Sequence, residues 1–127
     1  MNTLELGQLG EAVAAKFLKK SGYRILEKNL HVSHNEIDLI AKNKEFLVFV
    51  EVKTRSTDET LTSDFGTPAS AVDYGKQKRL ISAARSYIAS NKKSNLQPRF
   101  DVIEVYLDKV NRKTLKINHI VNAFGAK

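Results

Sequence analysis

Phe46-Leu-Val-Phe-Val-Glu-Val-Lys-Thr54 is a continuous apolar run that ends in two charges. Apolar on both alternating faces, it predicts a strand in the middle of a sheet, covered from above and below. Glu51 and Lys53 are two positions apart, so on a strand they point to the same face. Charges at the end of a central strand are costly unless something answers them.

The preceding stretch, Glu36-Ile-Asp-Leu-Ile-Ala41, alternates as a strand and brings Glu36 and Asp38 to one face. Lys42 to Glu45 reads as the turn of a hairpin joining it to the Phe46 to Lys53 strand. A four-residue turn there sets Glu36 opposite Glu51, with Asp38 on the diagonal. A register slipped by two sets Asp38 opposite Glu51 instead. In both registers three carboxylates and Lys53 share one face. One lysine does not balance three acids, and a hard divalent cation would.

A surface ion pair is the plain alternative. With 8 Glu and 15 Lys in 127 residues, about one Glu-x-Lys is expected by chance, so the tripeptide by itself says nothing. Its position does, closing an apolar strand with Asp38 thirteen residues before Glu51.

Outward from the hairpin, Leu6, Leu9, Val13 and Phe17 recur at helical spacing and predict a helix from Thr3 to Ser21, with Gly22 as its stop. Gly7 and Gly10 lie one turn apart inside it, where a close approach of another backbone or a ligand would explain them. Tyr23 to Asn29 reads as a strand and His31 to Asn35 as a polar loop. Thr54 to Thr67 is a loop without period. Pro68 opens a second helical stretch, Asp73 is its inner cap, and Leu80, Ile81, Ala84, Tyr87 and Ile88 form the buried face. Asn91 to Pro98 links it to strands at Arg99 to Leu107 and Thr114 to Ile120. The fold class is α/β, a mixed sheet flanked by helices in the order α-β-β-β-α-β-β, as one domain over residues 1–127.

Composition narrows the function. The chain is 42% apolar and 28% charged, values of a globular fold rather than a disordered one. No run approaches the roughly 20 apolar residues of a membrane span. The first ten residues lack the pattern of a secretory signal. With no cysteine, thiolate catalysis and Cys-held zinc are excluded. The net charge is +7, and all of it lies after residue 63: residues 1–63 hold nine basic and nine acidic side chains, residues 64–127 twelve and five. A basic half beside a balanced one suggests a polyanionic partner.

Several motifs together resemble a known family. Asp38 followed by Glu51-Val-Lys53 is similar to the PD-(D/E)XK signature of restriction-endonuclease-like nucleases. Gly7-Gln-Leu-Gly-Glu-Ala12, Glu36-Ile-Asp-Leu-Ile40, Val48-Phe-Val-Glu-Val-Lys-Thr-Arg55, Ala71-Val-Asp73 with Lys76-Gln77 and Arg79-Leu80, and Arg99-Phe-Asp-Val102 resemble the YraN-like family of small bacterial endonuclease-type proteins. That family is related to archaeal Holliday-junction resolvases. The resemblance implies a restriction-endonuclease-like core and Mg²⁺- or Mn²⁺-dependent hydrolysis of phosphodiesters in DNA, RNA not being excluded, with branched or repair intermediates as substrates.

Within it, Asp38, Glu51 and the main-chain carbonyl of Val52 would hold the metal, with Glu11 completing the site through water and Glu36 as a secondary candidate. Lys53 would orient the attacking water and steady the phosphate charge. Lys76 would bind backbone phosphate. The products would carry 5′-phosphate and 3′-hydroxyl ends. The family usually has Gly before Glu-Ile-Asp; Asn35 stands there here, a residue tolerant of left-handed backbone.

Lys78, Arg79, Arg85, Lys92 and Lys93 on or just past the second helix, with Lys109, Arg112 and Lys113 in the last turn, would contact phosphates without reading sequence; a solvated helix face is the alternative. Arg55 is placed to reach phosphate. His31 and His34 flank the site in a loop. His119 is expected to pack near the last strand, and Arg99 with Asp101 to form a structural ion pair. Tyr23, Tyr74, Tyr87 and Tyr106 are scattered and form no stacking platform. The sequence thus reads as a cytoplasmic nuclease, expected as a homodimer with no small-molecule cofactor, its rivals being a nucleic-acid-binding module or a scaffold with little catalysis of its own.

Overall fold

Asn2 starts the first helix by accepting the Glu5 N–H at 2.8 Å, while the Glu5 carboxylate accepts the Asn2 N–H at 3.2 Å. This reciprocal cap satisfies two donors that a helix start leaves over. The computed structural model describes residues 2–57, 72–91 and 95–125. Its elements are α1 (Thr3–Lys20), β1 (Arg24–Val32), β2 (Asn35–Lys42), β3 (Phe46–Thr57), α2 (Tyr74–Asn91), β4 (Gln97–Asp108) and β5 (Thr114–Phe124). That is the expected succession. Among the described residues no helix is long and apolar enough to cross a membrane.

The five strands form one sheet in the order β1-β2-β3-β4-β5. β3 and β4 run parallel, joined across α2, and every other neighbour is antiparallel. On one face, Ala14 and Leu18 of α1 pack with Val48, Val50, Ile103 and Val105. On the other, Leu80 and Ala84 of α2 pack with Phe49, Phe100 and Val102. Burial on both faces is the physical reason that the middle of β3 is apolar without alternation. Asp73 caps α2 through its carboxylate, which accepts the Lys76 N–H at 2.8 Å.

Gly10 is where α1 comes down on β3. A Cβ added there would fall within the Thr54 side chain, 2.8 Å from its own Cβ. Gly7 has nothing within 4 Å, so the expectation of a close approach holds at one glycine and fails at the other. Gly10→Ala is expected to cost about 1–3 kcal/mol of stability in urea unfolding, the usual price of overpacking. Thr54→Gly in the same chain should restore part of it. An alanine variant as stable as the wild type would mean that this contact is not tight.

The structure corrects several boundaries. The 31–35 loop is a two-residue hairpin turn: Val32 pairs with Asn35, and Ser33 takes the positive φ, 56°. Asn35 is the first residue of β2, not the left-handed position expected of it. The β2–β3 turn is tighter than expected. Asn43 accepts the Glu45 and Phe46 N–H groups at 2.9 and 2.8 Å, and Lys42 pairs with Leu47. The hairpin therefore adopts the slipped register, and Glu36 does not face Glu51. β1, β3, β4 and β5 all run further than expected, to Val32, Thr57, Asp108 and Phe124. Pro68, Lys92 and Lys93 lie outside the described residues.

Candidate functional site

The ladder between β2 and β3 has its last pair at Leu39 and Val50. Beyond it the Val52 N–H donates to Asp38 Oδ2 at 2.8 Å, a side chain taking the place of a strand partner. At this point α1 lies against the sheet and contributes Glu11. Glu11, Glu36 and Asp38 each offer an oxygen within 4.8 Å of the other two.

Glu51 is 4% exposed. Its Oε2 receives Lys76 Nζ at 3.3 Å and Lys53 Nζ at 3.8 Å. Its Oε1 is buried with no hydrogen-bond partner among the described residues. Two ammonium groups thus meet one carboxylate, and the other three acids are left close together.

The electrostatics follow from that arithmetic. The Asp38 carboxyl is pushed up to about 8, first by burial and then by the Glu51 charge; the Val52 N–H pulls the other way, while hydrogen-bond contact with Glu51 and the charge of Glu11 add to the rise. Glu11 is also raised, chiefly by burial, with Glu36 and Glu51 adding and a hydrogen bond from Asn29 opposing. A buried, orphaned oxygen and a set of hard, under-neutralised oxygen donors fit a hard divalent cation. They fit a soft or nitrogen-seeking metal poorly.

The structure therefore brings together Glu11, Glu36, Asp38, Glu51, Lys53 and Lys76. Beside them, Arg79, His34 and Asn35 join Glu36 and Lys76 in lining a cleft of about 140 Å³. His31 sits on Glu36 at 3.2 Å. Two basic residues fall elsewhere. Arg55, expected to reach phosphate, is turned to the buried Glu104, with Nε at 3.2 Å from its Oε2. Lys78 points away from the acids and covers the ring of Tyr74 at 4.8 Å.

Two features escaped sequence reasoning. Asn29 reaches Glu11 from a positive-φ position, 48°, on the strand after α1, where nothing in the sequence marked it for the site. Glu104 is a fully buried carboxylate bonded by Arg55, Tyr106 and Asn118. Its sign in the sequence is a second acid, three positions after Asp101, inside an otherwise apolar strand.

Residues 10–105 match the model of a family described as uncharacterised protein family UPF0102. A UPF0102 protein of Caldanaerobacter subterraneus subsp. tengcongensis is 48% identical over 124 residues, 98% of each chain. Another, of Clostridioides difficile, is 45% identical over 124 residues, 98% of this chain and all of the relative. Among solved structures, Pyrococcus furiosus SfsA in complex with Ca²⁺ is similar over 89% of this chain, with a TM-score of 0.44 at 14% identity; this chain spans 62% of that one.

Proposed function

This chain belongs to the uncharacterised protein family UPF0102, and from that premise we propose that it is a divalent-metal-dependent endonuclease of the PD-(D/E)XK type, acting on DNA and built on a restriction-endonuclease-like core. The observation that carries the reading is the fork at the end of β2 and β3, where Asp38, Glu11 and Glu36 crowd one another and Glu51 keeps a buried oxygen unpaired. An acidic cluster that lowers its own stability by repulsion is explained if a cation and a phosphate are to be held there.

Asp38 and Glu51, with the Val52 carbonyl, would hold Mg²⁺ or Mn²⁺, and Glu11 and Glu36 would complete the shell. The ion supplies charge to offset the phosphate and makes water more acidic. Lys53, half-buried beside Glu51, orients the nucleophile and stabilises the negative charge that grows on the phosphoryl oxygens. Lys76, on the same Glu51 oxygen as Lys53, holds the scissile phosphate, and Arg79 extends that contact along the cleft. Arg55 is tied to Glu104 and takes no part in this contact. A cytoplasmic setting, repair or branched-DNA substrates and action as a homodimer belong to the same reading.

The test is cleavage of labelled linear, flapped and four-way-junction DNA with Mg²⁺ or Mn²⁺. Cutting that needs the metal supports the reading. Lys53→Ala should slow it by about 10²-fold while binding persists, the scale for losing one aligned charge at a transition state. Binding without cutting, identical in the wild type and Lys53→Ala, would instead make the protein a nucleic-acid-binding module. No binding would leave the scaffold.

A further inference from the structure

A second groove lies against α2, away from the acids. It encloses about 670 Å³ between that helix and the end of β5. Tyr74, Lys78, Ile81 and Arg85 line it from the helix, and Phe124 forms the opposite wall. These helical positions are spaced four, three and four apart, so they make one stripe about 16 Å long. Lys76 and Arg79, on a different stripe of the same helix, face the acidic cleft.

The groove has an unusual mixture of walls. Tyr74 is 70% exposed, although it is one of the larger apolar side chains. Ile81 and Phe124 are half-buried, while Lys78 and Arg85 are exposed. Neither cation pairs with a carboxylate among the described residues, and no acid is among the side chains that line the groove. Cations without a carboxylate call for an anion, and a largely exposed ring that carries the Lys78 ammonium at 4.8 Å, with aliphatic and aromatic neighbours, calls for a flat apolar face beside that charge. A duplex offers phosphates but keeps its base faces stacked inside. An unpaired strand offers both at once.

We infer that this groove binds an unpaired stretch of nucleic acid, with a base stacked on the Tyr74 face opposite Lys78 and backbone phosphates on Lys78 and Arg85. The inference rests on the nucleic-acid substrate proposed above and adds to it the state of the strand beside the cut. The short basic stripe binds through stacking and charge, without base-edge readout.

The experiment is fluorescence anisotropy in EDTA, with a labelled 12-nucleotide oligo(dT) and a 12-base-pair duplex as probes. Tyr74→Ala is expected to weaken oligo(dT) binding by about tenfold and duplex binding by less than twofold, the scale of one lost base–aromatic stack. Lys78→Glu with Arg85→Glu should weaken oligo(dT) by more than tenfold and flatten its salt dependence. Lys16→Glu with Lys44→Glu, on exposed positions of α1 and the β2–β3 turn, is the charge-matched control. Far-ultraviolet circular dichroism and melting confirm that each variant folds; if the double charge reversal does not, exposed Tyr74→Ala still decides. Equal losses for both probes, or none for oligo(dT), overturn the inference. Metal-dependent cleavage is scored separately on wild type. Cutting with an unresponsive groove refutes only the groove. A selective Tyr74 effect without cutting refutes only the nuclease.

Discussion

Asp38→Asn is expected to make the metal-free protein more stable and the metal-loaded protein inactive. In the fold the Asp38 carboxyl sits at about 8 against an ordinary 3.8. A carboxyl raised in this way binds its proton more tightly folded than unfolded, so its stabilising effect is complete below about pH 4 and disappears as pH rises through about 8. At neutral pH the wild type therefore carries a penalty on the order of 2–4 kcal/mol that an amide removes. Asparagine keeps an oxygen for the Val52 N–H, so the local ladder survives.

Urea unfolding between pH 5 and 8.5 in EDTA checks this directly. The wild type should weaken as pH rises across that range, and the variant should weaken much less, keeping only the smaller slope that Glu11 contributes. The same substitution removes a proposed metal ligand, so cleavage should fall by 10³-fold or more, on the order of 4 kcal/mol in the barrier. A variant no more stable than the wild type at pH 8 would mean that the four acids do not repel as their positions require. Because metal binding must displace the Asp38 proton below pH 8, the apparent Mg²⁺ affinity should also rise about tenfold per pH unit from 6 to 8.

The second large effect lies in β4. Asp101 is fully buried and takes Arg99 Nε at 2.9 Å, Arg99 Nη2 at 2.8 Å, His119 Nε2 at 2.7 Å and the Asn122 N–H at 3.0 Å. Arg99 also donates to the Tyr23 hydroxyl at 2.7 Å. Although burial raises it, bonds from His119, Arg99 and Asn122 hold this carboxyl below its ordinary value.

Asp101→Ala leaves a buried guanidinium without its anion and should cost about 3–5 kcal/mol, read as a lowered urea midpoint. The sign with pH is the reverse of that at Asp38. A lowered carboxyl stabilises above about pH 4, and that contribution fades as pH falls. The wild type should thus lose stability on acidification below 4 more steeply than the variant. A loss under about 1 kcal/mol would show that the cluster is solvated enough to relax.

What could be read in the sequence was whatever depends on near neighbours. The α1 stripe, the Asp73 cap and the apolar centre of β3 are set by spacing of a few residues, and all appear in the structure. The register was open between two values because a single side chain decides it: Asn43 folds over the Glu45 and Phe46 N–H groups and shortens the turn. Ser33 takes a left-handed backbone with no glycine to announce it. In the site, Asp38 with Glu51 and Lys53 follows from hairpin geometry, but Glu11 needs the docking angle of α1 and Lys76 that of α2. Arg55 looked available because Glu104 is 49 positions further on. The Tyr23–Arg99 bond spans 76 positions, and no local pattern could show it.

The parallel join of β3 to β4 has a kinetic corollary. Its partners, Phe46 with Gln97 through Thr57 with Asp108, lie roughly fifty residues apart, whereas β1, β2 and β3 meet through tight turns. The hairpins can close within microseconds, but sealing the middle of the sheet must await a long loop closure. A nascent chain emerging from the ribosome therefore has the β2–β3 hairpin, with Asp38 and Glu51, in hand well before β4 arrives to complete the β3 edge and the floor under α1. Until residue 108 has been synthesised, that apolar margin stays open to other strands.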